Sequence, residues 1–281
     1  MSGLAVGGVY ASLALALVMI YQTTTLVNFA QGEIAMASTF LAWVLIGHGL
    51  PYWLAFALTL VISFVVGFLV EKYLMRRFQK AALHSVLIVM IGLMMFINGG
   101  IGVIFGYEVK NFDSPFAGLR LAGGLVSPHE AGIALVTLCV MSLVFAFFRF
   151  TRVGLAMKGA AVNPLSASFV GINVSVMLSL GWGLAAMIGA VSGILSAPIV
   201  YLDPNMMLNV IIYAFAGALL GGISSAVGAV VGGLLIGVAE NLAGTYVVGT
   251  DMKLVFVLAV IIGVLLIKPN GLFGQTVVAR V

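Results

Sequence analysis

The chain has 281 residues, of which 63% are hydrophobic and 7% charged, with a formal net charge of +4. Soluble domains carry roughly a quarter charged residues, so this composition excludes a globular cytoplasmic enzyme and puts most of the chain in lipid. No stretch longer than about two dozen residues lacks an apolar run able to enter a bilayer, so a single membrane domain over 1–281 is expected.

The first run starts at Leu4 with no basic residue before it, which predicts a retained helix rather than a cleaved signal. Apolar runs follow at roughly 3–21, 34–50, 52–73, 84–106, 129–150, 174–200, 209–223, 226–243 and 253–268. The fold class expected is therefore an all-α integral membrane protein of about eight to nine transmembrane or re-entrant helices. As one helix, 209–243 would be ~50 Å long against a hydrocarbon core of ~30 Å, so a hairpin is placed at Gly221, Gly222, Ile223, Ser224 and Ser225. Glycines four apart, at Gly3/Gly7, Gly102/Gly106, Gly189/Gly193, Gly217/Gly221, Gly228/Gly232 and Gly233/Gly237, predict close helix contacts.

If the runs alternate in direction, Lys72, Arg76, Arg77, Lys80, Arg149, Arg152, Lys158, Lys268 and Arg280 fall on one side, and Lys110, Arg120 and Lys253 on the other. The positive-inside rule makes the first side cytoplasmic, with the C-terminus inside. The quartets at about 3–106 and 174–268 then run in opposite senses, as in an inverted repeat. Runs two and seven are both short, and irregular backbone inside a membrane is tolerated only where it lines a cavity or is buried in protein. The polar residues at these two junctions are Asn28, Gln31 and Glu33 in the first and Asp203, Asn205, Asn209 and Tyr213 in the second. Singly, each reads equally well as an interfacial residue satisfied by water; as paired clusters they favour a solute path.

The longest loop on the basic side is 151–173. Asn163 can cap a helix starting at Pro164, and Gly171 can stop it, which predicts a short helix at about 164–170 with Leu165 and Phe169 on one face. An apolar pair four residues apart outside the membrane needs a covering surface, either the chain's own helix ends or another protein.

The stretch Gly154 to Gly171 resembles the coupling loop of ATP-binding-cassette importer permeases. Leu26-Val27-Asn28-Phe29-Ala30-Gln31-Gly32-Glu33 resembles the first-repeat signature of the branched-chain amino-acid permease family. The same family is matched by Leu220-Gly221-Gly222-Ile223-Ser224-Ser225 with Gly228, Gly232 and Gly233, and by Pro269-Asn270-Gly271-Leu272-Phe273-Gly274. There are departures: Gln31 stands where the family more often has His, and Gly159 where an Ala-like residue is usual. The resemblance implies a type II-like importer permease for a small zwitterion, branched-chain amino acids first, with other amino acids, amides or urea as alternatives. It implies three kinds of partner: a second homologous permease, two cytoplasmic ATPase subunits and an extracytoplasmic solute-binding protein. Coupling to the ATPase would fall to Gly154, Lys158, Ala160, Asn163, Pro164, Leu165, Phe169 and Gly171.

No Gly is followed by Lys, so the phosphate-binding Gly-x-x-x-x-Gly-Lys-Ser/Thr loop is missing from the sequence, and any ATP would be bound by another chain. No hydrolase motif occurs, so no enzyme activity, catalytic residue or cofactor is expected. His48, His84 and His129 lie apart from other ligand types, Cys139 is the sole cysteine, and no metal site or internal disulfide is expected. Glu33 is the stronger intramembrane suspect, whereas Glu240 is expected near a helix end, in an interfacial role at least as much as a functional one. Met94, Met95 and Phe96 read as lipid-facing or packing residues. Two other classes stay open on the residues alone: an ion-coupled secondary transporter, and a channel or structural subunit.

Overall fold

With no water to satisfy backbone groups in hydrocarbon, an apolar chain of this composition has to close its hydrogen bonds within helices. The structure, a computed structural model, describes residues 2–24, 26–78, 81–116 and 127–274. Eleven α-helices occupy them: α1 (Ser2–Thr24), α2 (Gln31–Gly47), α3 (Tyr52–Leu69), α4 (Leu83–Phe105), α5 (Pro128–Phe150), α6 (Arg152–Val162), α7 (Pro164–Phe169), α8 (Val174–Val200), α9 (Met207–Gly221), α10 (Ala226–Tyr246) and α11 (Lys253–Ile267). The last turns of α3 change winding, through a π turn at Val70–Leu74 and a 3₁₀ turn at Met75–Phe78.

Six helices are long and apolar enough to cross a membrane, and Gln31–Gly47, Met207–Gly221 and Lys253–Ile267 are shorter. At about 1.5 Å per residue, the 17 residues of α2 and the 15 of α9 fall short of a ~30 Å core. All nine expected runs are helices with ends shifted by a few residues, and the α9–α10 turn falls at the expected glycines. One expectation is corrected: residues 152–162, read as loop, form α6.

The interior is built on α1, which lies antiparallel to α10 on one side and to α8 on another. Gly3 faces Gly237 and Asn241, and a Cβ on Gly7 would stand 2.9 Å from the Leu234 carbonyl oxygen. Gly233 and Gly237 in turn meet the backbone of Ala11 and Gly7, while Gly217 and Gly221 meet Gly232 and Gly228 across the hairpin. Lipid tails are as apolar as leucine, so these contacts hold the helices by dispersion between backbones rather than by hydrophobic burial. Gly102/Gly106 departs from the expectation: Gly102 lies under the Tyr107 ring, and Gly106 ends α4 with φ 76°. At the far end of the chain, Leu272 and Phe273 donate to the carbonyls of Leu220 and Gly221, so the two glycine-rich motifs close on each other.

Gln22 donates to the Ser224 carbonyl, Gly222 touches Asn270, and Thr24, Glu71, Ala160 and Val174 line one cavity. These contacts gather the ends bearing Lys72, Arg76, Arg77, Arg149, Arg152, Lys158 and Lys268 at one end of the bundle, called here the basic end. Lys110, bridged to Leu202, and Lys253, paired with Glu240, lie at the other. Lys80, Arg120 and Arg280 fall outside the described residues.

Candidate functional site

The helix pair at the basic end is set by local chemistry. Thr151 Oγ1 accepts from the Gly154 N–H at 3.0 Å and donates to the Phe147 carbonyl at 2.7 Å, which turns α5 directly into α6. Gly154 sits against Phe147 and Phe148 so closely that a side chain has no room. Asn163 Oδ1 accepts from the Ser166 N–H at 2.9 Å, Pro164 opens α7 as its first residue, and Gly171 stops it with φ 84°. Met157, Ala160 and Ala167 face the bundle and are buried. Lys158 Nζ stands 5.7 Å from the Phe148 ring centre. The opposite face is apolar and uncovered: Leu165 is 67% exposed, Phe169 80% and Val170 76%.

Inside the bundle, the first turns of α2 and α9 meet, with Gly32 against Met207 and Ile211. The 26–30 segment carries the chain back from the end of α1 to the middle of α8. Asn28 Oδ1 accepts from the Ala30 N–H at 3.0 Å, Asn28 Nδ2 reaches Gln31 Oε1 at 3.4 Å, and Gln31 Nε2 donates to the Ala185 carbonyl at 2.9 Å. Asn28 and Gln31 are fully buried. Gly189 leaves room for the Gln31 amide.

At the second junction the chain leaves α8 through Tyr201, whose φ of 63° is the one left-handed value at a non-glycine among the described residues. Asp203 Oδ1 accepts from the Asn205 N–H at 2.6 Å. Asn205 and Asn209 are exposed, and Tyr213 is half-buried, stacked on Tyr10 with ring centres 5.1 Å apart.

Asn98 on α4 joins the two junctions, and sequence reasoning missed it. Its Nδ2 lies 3.3 Å from Glu33 Oε2, 2.8 Å from the Pro204 carbonyl and 3.4 Å from Asn205 Oδ1. The available signal was a single amide in an otherwise apolar run. Glu33 is buried in the first turn of α2, where its charge also complements the helix dipole. Glu240 corrects the interfacial expectation: it is buried, accepts from Tyr10 Oη at 3.0 Å and pairs with Lys253 Nζ at 3.0 Å. His129 bridges Ser114 Oγ and the Leu195 carbonyl, at 2.8 and 3.2 Å. Among the described residues, no three His, Cys, Asp or Glu side chains converge as a metal site would require.

Residues 1–265 match the family model described as the branched-chain amino acid transport system / permease component. The chain belongs to this family. The permease is 29% identical over 296 residues to the high-affinity branched-chain amino acid transport system permease protein LivH of Escherichia coli, covering 100% of this chain and 96% of that one. It is likewise 29% identical over 298 residues to BraD of Pseudomonas aeruginosa, with the same shares covered. Among solved structures, PsaBC from Streptococcus pneumoniae in complex with Fab superposes on the permease with a TM-score of 0.49 at 13% identity, over 92% of this chain and 88% of that one. The permease is a multi-pass membrane protein of ATP-binding-cassette importers, a transport component rather than an enzyme.

Proposed function

We propose that the permease supplies half of the translocation path of an importer for small zwitterions, with branched-chain amino acids as the solute class. The relatives' names support the substrate, and the carrying observation is the capped α6–α7 pair, which presents Leu165, Phe169 and Val170 away from the bundle at its basic end. On this reading the basic end faces the cytoplasm by the positive-inside rule, the C-terminus lies inside, and the chain sits in the inner membrane. Two cytoplasmic ATPases bind the exposed face of α6–α7 and hydrolyse ATP, and an extracytoplasmic binding protein delivers solute to the opposite end. Gly154, Lys158, Ala160, Asn163, Pro164 and Gly171 hold the pair's shape, while Leu165 and Phe169 enter the ATPase groove.

Exposed Asn205 and Asn209 neighbour exposed Leu208 and Ile212 along the start of α9, a face that lipid would solvate poorly at the amides. A second homologous permease covers this face, so that Asn205, Asn209 and Tyr213 line the path between the two. Asn28, Gln31 and Glu33 hold the backbone behind it. The two quartets act as an inverted repeat: α1 and α8 run antiparallel, and each is followed by an irregular segment and a short helix. ATPase closure then shifts α6–α7 as a rigid body and rocks one quartet against the other.

Burying a leucine or phenylalanine side chain contributes about 1.5–3 kcal/mol, so Leu165→Asp with Phe169→Asp is expected to weaken docking by about a hundredfold or more. Solute uptake driven by ATP should disappear while the variant still reaches the membrane at normal levels. Undiminished ATP-driven uptake in the double variant rejects the proposal.

A further inference from the structure

The α6–α7 pair flanks a half-open cavity of about 280 Å³ at the basic end of the bundle. This lies just below the range of about 300–1,000 Å³ that small-molecule sites occupy, which suits a molecule of amino-acid size. Its apolar wall comes from Met75, Phe78, Val86, Met90 and Leu178, and Ala160 and Pro164 form the lid. With Thr24 of α1, the lining is therefore shared by four membrane helices and by the element proposed to meet the ATPase.

Two polar features distinguish this space from a packing defect. Trp182 lines it, is 1% exposed, and carries an indole N–H with no hydrogen-bond partner among the described residues. A buried indole N–H ordinarily finds an acceptor, so an acceptor is missing here. Glu71, carried on the π turn of α3, also lines the cavity; its carboxylate accepts from Ser179 Oγ and pairs with Arg76 at 3.1 Å. Arg76 Nε is buried and likewise lacks a partner among the described residues. The acid and the base cancel, so a ligand with net charge would place an uncompensated ion beside a largely apolar wall, whereas a zwitterion would not.

We propose that this cavity is a regulatory site for a small aliphatic zwitterion arriving from the basic end. The ligand's carboxylate accepts from the Trp182 indole, its ammonium lies toward Glu71, and its hydrocarbon chain packs on Met75, Val86 and Met90. Bound ligand fills the space behind α6–α7 and restrains the pair, so the transported class of solute slows its own import once it accumulates. The regulatory part rests on the importer reading; the binding part does not.

The test begins with the full-length permease in lipid nanodiscs, with Trp43→Phe and Trp53→Phe so that Trp182 is the one remaining tryptophan. Millimolar L-leucine is expected to change Trp182 emission saturably, L-lysine is not, and Met90→Phe, which fills the cavity, should abolish the response. No saturable change, or one that survives Met90→Phe, overturns the site. In vesicles of the assembled transporter, L-leucine on the basic side should slow ATP-driven uptake severalfold. Trp182→Phe should leave the uninhibited rate unchanged and raise the leucine concentration needed by about tenfold. Equal inhibition in wild type and variant overturns the regulatory role. If the vesicles import no amino acid while the emission titration succeeds, the importer reading fails alone; the reverse pattern sinks only the cavity proposal.

Discussion

The junctions before α2 and α9 each leave a long helix and open a short one, yet they are finished in opposite ways. Before α2 the side-chain amides of Asn28 and Gln31 are buried and spent on Ala30, each other and the Ala185 carbonyl. Before α9 the turn is held by the Asn205 N–H on Asp203, by a backbone bridge from Leu202 to distant Lys110 and by Asn98 on the Pro204 carbonyl, and the amides of Asn205 and Asn209 stay exposed. A polar cluster in a membrane sequence can thus be either internal scaffolding or a surface left for a ligand or partner. The difference lies in whether a neighbouring helix offers a backbone acceptor within reach, as α8 does for Gln31.

Three substitutions sharpen that contrast, in descending order of expected effect. Gln31→Leu should be the most damaging to stability, because it removes the tie to α8 and leaves the partners of a buried amide unsatisfied; a loss of about 1–3 kcal/mol is expected. Thermal unfolding in detergent measures it, and an unchanged midpoint would mean that the first junction is not a strut. Asn98→Ala should cost less, about 1 kcal/mol, because its three contacts are long or partly exposed. It should nonetheless lower the uptake rate more than solute affinity, since it releases the α2 and α9 starts from each other. Asn209→Ala should shift stability by no more than about 0.5 kcal/mol while altering transport. A midpoint drop as large as that of Gln31→Leu would erase the distinction between the junctions.

The same contrast shows how far the residues could be read without the fold. The α7 cap was legible because Asn163, Pro164 and Gly171 act within a few bonds of the backbone they control. Helix α6 was not, since only packing of Met157 and Ala160 on the bundle picks out its buried face, and two glycines with two basic residues in a short stretch between membrane runs read equally as a loop. Glu240 looked interfacial because its partners, Tyr10 and Lys253, come from helices remote or later in the chain. Asn98 was passed over for the same reason.

What the sequence determined alone was the membrane environment, the number and extent of the apolar helices, the turn at Gly221 and Gly222, the grouping of its described cations at two ends of the bundle, and the family. Those follow from hydropathy and from glycine, proline and capping chemistry, which act over one helix or one turn. Only the tertiary structure decided which polar groups are spent and which are open, that α2 and α9 begin side by side, and that a cavity lies behind α6 and α7. Burial and hydrogen-bond pairing between distant segments depend on where helices meet, and hydrocarbon gives every helix face the same driving force until neighbouring backbones touch.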